Sequence, residues 1–235
     1  MRDEDGEIIN DIYSIAEDMD GAVWVGTNLG VLVYYSSYSV LQNPSTNAQR
    51  IIVEIDGTPQ HLLGTETVAA IAIDGANRKW FGTDGGGVFL MSDDATEQIL
   101  NFNVDNSPLL SNSIISISID EKNGDVYFGT DQGIVTYRGT ATGGEHDFGG
   151  LYVYPNPIRP GFEGDIVIKG TMTDAIVKIT DVSGNIVYET KSLGGQAIWD
   201  GKDFSGRRLG TGVYLVFCSN EDGSETNVTK LLFIK

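Results

Sequence analysis

A repeat in the first 138 residues is the feature that most constrains the fold. Three segments, 12–34, 68–91 and 114–137, align with one another, and each contains a Gly-Thr pair. The pairs lie at 26–27, 82–83 and 129–130, so successive intervals are 56 and 47 residues. Self-similarity at such a period indicates stacked copies of one supersecondary unit.

Each repeat is predicted to form strand, turn, strand, turn, strand. Apolar residues alternate along the first strand, as at Ile115, Ile117 and Ile119, which is typical of a half-buried strand. Asp20-Gly21 and Asn123-Gly124 predict two-residue type I′ hairpin turns. An aromatic residue at a shared position is predicted to pack between neighbouring sheets. The residues of the repeat motif are Trp24, Gly26, Thr27, Trp80, Gly82, Thr83, Tyr127, Gly129 and Thr130.

These units resemble the two-component-regulator propeller repeat, whose pattern joins an Asp-containing turn to a Trp-x-Gly-Thr strand. The resemblance implies four-stranded blades around an axis, and such propellers have about four to eight blades. Three blades leave two open faces. We therefore expect residues 1–138 to be the C-terminal part of a larger propeller, with further blades and any export signal upstream of Met1.

Charge divides the chain near residue 150. Residues 1–150 carry 6 Lys/Arg and 23 Asp/Glu, whereas residues 151–235 carry 9 and 10. The acidic first half disfavours nucleic-acid and anionic-lipid binding, because both need a cationic surface.

Residues 139–150 are rich in glycine and are predicted to be a flexible linker. No apolar run is long enough for a transmembrane helix, and the lone Cys218 excludes an internal disulfide.

Residues 151–235 are predicted to form a small Ig-like β-sandwich. Short alternating segments are separated by turn residues, as in sandwich domains. The predicted strands are 151–158, 165–169, 175–181, 185–190, 212–218 and 229–235. The expected fold class is therefore all-β, a partial propeller of three recognisable blades followed by a sandwich.

The second half resembles both the Ig-like domain of flagellar hook-capping proteins and the C-terminal domain of type IX secretion. The shared motifs occur in order: Pro155-Asn156-Pro157, Asp181 to Gly184, Trp199-Asp200-Gly201, Gly212 to Tyr214, and Lys230 with Lys235. Together with the propeller repeats they resemble the PorZ-like family of type IX secretion components. That resemblance implies a protein at the surface of a Gram-negative bacterium of the Bacteroidetes type, which helps hand anionic lipopolysaccharide to a sortase partner.

Candidate sites in the sequence favour binding over catalysis. The two histidines, His61 and His146, offer little for a histidine-based triad, so we expect no enzyme, no cofactor and no metal site. Turn chemistry accounts for Asp18, Asp20, Asp120 and Asn123, which calcium could also use. The candidate ligand contacts are Lys202, Arg207 and Arg208, because Arg and Lys pair with the carboxylates or phosphates of an anionic glycan.

Other readings of the sequence stay open. The same propeller repeats occur in carbohydrate-sensing domains of two-component systems, and the terminal motifs also occur in type IX cargo proteins. A secreted propeller enzyme whose site lies in blades outside this sequence is a third alternative. The leading interpretation takes other secretion-complex proteins as partners.

Overall fold

The computed structural model describes residues 1–43, 46–55 and 57–234. The chain divides into two compact units. The first comprises Met1–Asp120 and Asp125–Arg138, and the second comprises Glu121–Gly124 and Gly139–Lys235. The regular structure is almost entirely β, and the all-β prediction is confirmed.

The repeats form three antiparallel sheets in the first unit. The first sheet is β1 (Ile12–Glu17), β2 (Val23–Thr27), β3 (Gly30–Tyr34) and β4 (Gln49–Arg50), with helix α1 (Ser37–Gln42) before its last strand. A hairpin follows, β5 (Ile52–Ile55) and β6 (Thr58–His61). The second sheet is β7 (Val68–Ile73), β8 (Lys79–Thr83), β9 (Val88–Met91) and β10 (Gln98–Phe102). The third is β11 (Ile114–Asp120), β12 (Asp125–Thr130) and β13 (Gly133–Arg138). Helix α1 and the β5–β6 hairpin occupy the longer first interval of the repeat.

The hairpin turns differ from the predicted type. Gly21 and Gly124 have φ of +80° and +77°, but Asp20 and Asn123 keep negative φ. A type I′ turn needs positive φ at both central residues, so that prediction is wrong although the hairpins exist. The reason lies in the first turn itself. The Asp18 carboxylate accepts the backbone N–H groups two and four residues further on, at 3.0 and 2.9 Å, which favours a right-handed turn closed by the glycine.

Two of the three repeat aromatics pack between sheets. Trp24 lies 6.2 Å from Phe81 of the second sheet, and Trp80 lies 5.6 Å from Phe128 of the third, measured between ring centroids. Both indoles are buried. The prediction fails for Tyr127, which is 39% exposed, because the described residues of the first unit form no fourth blade to pack on that face of the third.

The motif glycines show the same difference. A Cβ added at Gly82 would lie 2.5 Å from a side-chain carbon of Ile114 in the next sheet. At Gly129 the close neighbours belong to its own sheet, chiefly the Ser116 hydroxyl at 2.5 Å. Glycine at Gly82 therefore permits the next blade to approach closely, whereas at Gly129 the nearest group is a hydroxyl of the same sheet.

A buried ion pair joins the first two blades. The Lys79 ammonium lies 3.1 Å from the Asp18 carboxylate and 5.0 Å from the centre of the Trp24 ring. The Trp24 indole N–H donates to the same carboxylate at 2.7 Å. Burial alone would raise the pKa of Asp18, but hydrogen bonds from Trp24 and Lys79 outweigh it and hold that pKa below its ordinary value.

The second unit is a two-sheet sandwich. Its strands are β14 (Tyr152–Tyr154), β15 (Ile166–Lys169), β16 (Ile176–Thr180), β17 (Ile186–Lys191), β18 (Gln196–Trp199), β19 (Gly212–Ser219) and β20 (Thr226–Phe233). One sheet has the order β14-β15-β18 and the other β17-β16-β19-β20. Side chains such as Ile166, Trp199 and Val216 fill the core between them. Phe148, from the segment predicted to be a linker, is also buried in this core.

The Pro155-Asn156-Pro157 motif lies along the edge of the last strand. The Asn156 amide donates to the carbonyl of Lys230 at 2.8 Å, and its oxygen accepts the N–H of Leu232 at 3.1 Å. One side chain thus satisfies a donor and an acceptor that an edge strand would otherwise expose. The terminal Lys235, part of the same sequence motif, lies outside the described residues.

Candidate functional site

The predicted cations lie on the loop that follows β18. Trp199 is buried, and its indole N–H donates to the carbonyl of Lys202 at 2.8 Å. Gly201 adopts φ of +76°, which the tight turn requires. An isolated bridge pairs Lys202 with Arg208, so the loop returns on itself and brings the predicted cations to one place.

Two of these cations are neutralised within the loop. The Lys202 ammonium lies 2.8 Å from the Asp200 carboxylate, and the Arg207 guanidinium lies 3.0 Å from that of Asp203. The hydrogen bond from Lys202 lowers the pKa of Asp200, and the backbone N–H of Arg207 is the main cause of the lowered pKa of Asp203. Both acids are therefore charged at neutral pH. An anion at this loop must displace them from their cations.

The third cation, Arg208, ties the loop to the core. Its guanidinium donates to the backbone carbonyl of Asp200 at 2.7 Å and to that of Phe162. It also lies 5.8 Å from the centre of the Phe233 ring. These contacts hold the loop in place, so Arg208 is a positioning residue here. The loop as a whole keeps one excess positive charge.

A second cationic surface lies on the outside of the β17-β16-β19-β20 sheet. We define the outer lysine face as the outward residues of these strands. Pairing places Lys178 opposite Phe217, Phe217 opposite Val228, and Leu215 opposite Lys230. The inward neighbours of these residues fill the core, so the face turns away from it. The residues of the outer lysine face are Ile176, Lys178, Glu189, Lys191, Val213, Leu215, Phe217, Val228, Lys230 and Leu232.

The outer lysine face combines exposed apolar area with positive charge. Phe217 is 41% exposed and Val228 48%. Its single acid, Glu189, lies 3.8 Å from Lys178. Lys191 and Lys230 have no ion pair among the described residues. The sequence contained a signal for this face, because the strands that it predicts correctly alternate, and their outward positions carry these lysines.

The first unit presents surfaces of the opposite character. A cavity of about 530 Å³ is lined by Glu54, Glu66 and His61 above the apolar Phe89 and Met91. Among the described residues that line this cavity, none is a lysine or an arginine. In the described part of the chain, no group of three or more His, Cys, Asp or Glu side chains is arranged to hold a metal ion.

Family models match both units. The "Secretion system C-terminal sorting domain" model matches residues 152–235, and the "Two component regulator propeller" model matches residues 2–29. The sandwich with the Asn156 clamp is therefore similar to a sorting domain, and the first blade to a propeller repeat. No curated protein matches the chain.

Among solved structures, the chain is similar to PorZ of Porphyromonas gingivalis, an essential bacterial surface component of the type IX secretion system. The two share 33% identity with a TM-score of 0.68, over 100% of this chain and 32% of PorZ. The chain thus spans about a third of the length of PorZ. These findings confirm two predictions. The chain is similar to the PorZ-like proteins of type IX secretion, and its fold combines propeller blades with a sandwich.

Two further structures show weaker likeness. An extracellular domain from B. thetaiotaomicron, assigned to a hybrid two component system, has 15% identity and a TM-score of 0.38, over 98% of this chain and 45% of its own. Latent PorU from Porphyromonas gingivalis has 19% identity and a TM-score of 0.29, over 47% of this chain and 12% of PorU.

Within the described residues, no helix combines the length and the apolar character that crossing a bilayer requires.

Proposed function

We propose that this chain is part of a PorZ-like cell-surface accessory protein of the type IX attachment complex. In this role it binds other secretion-complex proteins and helps deliver anionic lipopolysaccharide to a sortase partner. The observation that carries the proposal is the 33% identity to PorZ along the whole chain. The sorting-domain match at residues 152–235 supports export to the exterior of the outer membrane.

We also propose that the chain acts by binding and is not an enzyme. A histidine that serves as a general base is oriented by a hydrogen bond to a third group. Within the described residues, neither His61 nor His146 makes a side-chain hydrogen bond or an ion pair. The buried Cys218 has a pKa raised by burial to about 12, which keeps its thiol protonated and poorly nucleophilic.

For the anionic glycan, the accessible contacts in the predicted loop are Lys202 and Arg207. Their side chains are 48% and 79% exposed, and each is paired with a neighbouring carboxylate. A phosphate competes for such a guanidinium because it also forms bidentate hydrogen bonds. Arg208 contributes by fixing the loop.

Deleting residues 151–235 from the gene in the parent organism tests the cellular role. We expect type IX cargo to lose surface display and glycan modification. A matched deletion variant complemented with the complete gene controls for polar effects. Normal display of mature, modified cargo by the deletion strain would refute a role in the secretion complex.

Lipopolysaccharide binding by the chain tests the glycan contact separately. We expect the Lys202→Ala/Arg207→Ala variant to bind purified lipopolysaccharide about tenfold more weakly, since charge-assisted hydrogen bonds contribute about 1.5–3 kcal/mol each before competing pairs are lost. Arg159→Ala, an exposed cation of the same unit, is the matched control. Equal binding by the double variant and the unchanged chain would reject this loop as the contact.

A further inference from the structure

We propose that the outer lysine face is a docking surface for an acidic, apolar segment of a partner protein. The inference goes beyond the proposed function, because it requires neither lipopolysaccharide nor a sortase. It rests on the apolar area, the groove and the charge of this one sheet face.

The apolar part of the face is larger than isolated exposed side chains would produce. Val213, Phe217, Val228 and Leu232 are 43%, 41%, 48% and 38% exposed. They are neighbours by register, since Val213 pairs with Leu232 and Phe217 pairs with Val228. Exposed apolar side chains that adjoin in this way, with polar residues around them, mark interaction sites.

A groove lies at the end of this face beside the turn between β19 and β20, and it gives the partner a place to insert a side chain. Its volume is about 360 Å³, and its walls include Ile176, Phe217 and Val228 with Lys178 at the side. Ser219 and Thr226 close one end with polar groups. An apolar side chain in the groove would place an adjacent carboxylate within reach of the lysine.

The charge of the face selects an acidic partner. Lys178, Lys191 and Lys230 stand against the single carboxylate of Glu189, in a chain whose formal net charge is −18. Complementary charge steers encounter and disfavours wrong partners. This face is therefore positively charged, although the chain as a whole is strongly negative.

The turn between β19 and β20 adds an orientation. Glu221, Asp222 and Glu225 follow Ser219 and precede Thr226, so they adjoin one end of the groove. Like charges repel, so the carboxylates of the partner must lie toward Lys178 and Lys230, away from this turn. The acidic side chains of the partner segment thus contact Lys178 and Lys230.

A protein segment fits this face better than an anionic membrane does. A bilayer is flat, and proteins enter it with protruding apolar residues and cations. Here Phe217 and Val228 line a groove, and Glu189 and the acidic turn would face the lipid phosphates with like charge. A strand or loop with alternating apolar and acidic side chains matches both the groove and the lysines.

Titration of the ¹⁵N-labelled chain with synthetic hexapeptides tests the inference. The probes are a peptide of alternating Glu and Leu, its Lys/Leu counterpart and its Gln/Leu counterpart. We expect the Glu/Leu peptide to bind more tightly than the other two, and to shift the amide resonances of Lys178, Phe217, Val228 and Lys230. In an extended peptide every second side chain points to the same side, so the alternating sequence presents its Glu side chains on one side and its Leu side chains on the other.

Variants of the face sharpen the test. Lys178→Gln/Lys230→Gln should weaken binding of the Glu/Leu peptide about fivefold to tenfold, which is about 1.0–1.4 kcal/mol for the two exposed ion pairs together. Phe217→Ala should weaken it about tenfold, as expected for an apolar anchor. Both changes are on the outward side of the sheet, so the core is unaltered. The matched control, Arg159→Gln/Lys169→Gln, changes two cations of the same unit that lie outside this face and should bind like the unchanged chain.

Three results would overturn the inference. Equal binding of all three peptides, or equal binding by the Lys178→Gln/Lys230→Gln variant, would remove the charge selection. Stronger binding to vesicles containing about a third phosphatidylglycerol than to the peptide, lost in that variant, would assign the face to a lipid surface. Self-association of the chain that Phe217→Ala abolishes would assign it to a second copy. Each of these outcomes leaves the lipopolysaccharide experiment unaffected.

Discussion

Replacing Lys79 by methionine removes the cation of the buried pair between the first two blades. The Lys79 side chain is fully buried, and only 4% of the Asp18 side chain is exposed. The ammonium also donates to the carbonyl of Asn77 at 2.7 Å. Methionine has a similar length, so the change removes charge and hydrogen bonds while leaving much of the packing volume filled.

The expected loss of unfolding free energy is about 3 kcal/mol. Breaking a buried pair by removing one partner costs about 3–5 kcal/mol, because the remaining charge stays buried without compensation. The Asp18 carboxylate keeps the Trp24 indole N–H and two backbone N–H donors, which places the loss at the lower end. In Asp18→Asn/Lys79→Met both charges are gone, but the Asn amide nitrogen then faces an N–H donor, so we expect it to lose less than the single variant, about 2 kcal/mol.

The pH dependence of the same variant has a defined sign. In the unchanged chain the pKa of Asp18 is lowered from 3.8, so its contribution to stability is present above that pH and is lost as the pH falls through the folded-state pKa. Without Lys79, burial is opposed by fewer hydrogen bonds, and the pKa of Asp18 rises. The variant should therefore be most destabilised at neutral pH and approach the unchanged chain as the pH falls toward about 4.

Amide hydrogen exchange of strands β1, β2 and β8 between pH 4 and 7 measures this local stability. Lys191→Met, an exposed lysine of the second unit, is the control and should leave these strands unchanged. A loss below about 1 kcal/mol at neutral pH, or a loss that grows as the pH falls, would show that the pair does not stabilise the contact between the blades.

Three further predictions concern single positions. Asn156→Ala should lower the unfolding free energy of the second unit by about 1–2 kcal/mol, from two lost hydrogen bonds, and should speed amide exchange at Leu232, which two-dimensional NMR detects; unchanged exchange there would contradict the edge clamp. Gly82→Ala should cost about 1–3 kcal/mol in denaturant unfolding through overpacking against Ile114, whereas Gly129→Ala, whose added methyl meets only the rotatable Ser116 hydroxyl, should cost less; equal costs would show that contact between blades does not set the cost. Cys218 should not react with a thiol-specific disulfide reagent at pH 8 until the chain is unfolded, because its pKa is raised to about 12, and rapid labelling of the folded chain would contradict its burial.

The strands were the most predictable part of this fold. Alternation placed a strand at 212–218, and the structure has β19 at Gly212–Ser219. Strand β18 (Gln196–Trp199) was not predicted, because four residues are too few to show a period and three of them are buried. Phe148 was hidden for a different reason. Its glycine and polar neighbours are typical of a linker. The Phe148 ring is buried by side chains that are distant in sequence, and local sequence does not show such contacts.

Burial of the repeat aromatics could not be predicted from the repeat alone. Trp24, Trp80 and Tyr127 occupy equivalent positions on their strands, so local sequence predicts that their side chains point to the same face of each sheet. Their exposure differs because it depends on the neighbour that packs against each sheet. Local sequence specifies which face a side chain takes, whereas the contact on that face is a property of the assembled sheets.

The two groups of cations differ in how much of their charge is neutralised by neighbouring acids. In the loop after β18, Asp200 and Asp203 accept the backbone N–H groups that form the turn, so they must lie close in sequence to the residues they order. That requirement also places them beside Lys202 and Arg207, and the turn neutralises the cations that make the sequence conspicuous. On the outer lysine face the cations come from separate strands, and no turn brings acids to Lys230 or Lys191. Dispersed residues on one sheet face can thus retain more available charge than a compact cluster, because sheet pairing brings together cations without bringing the acids that turns require.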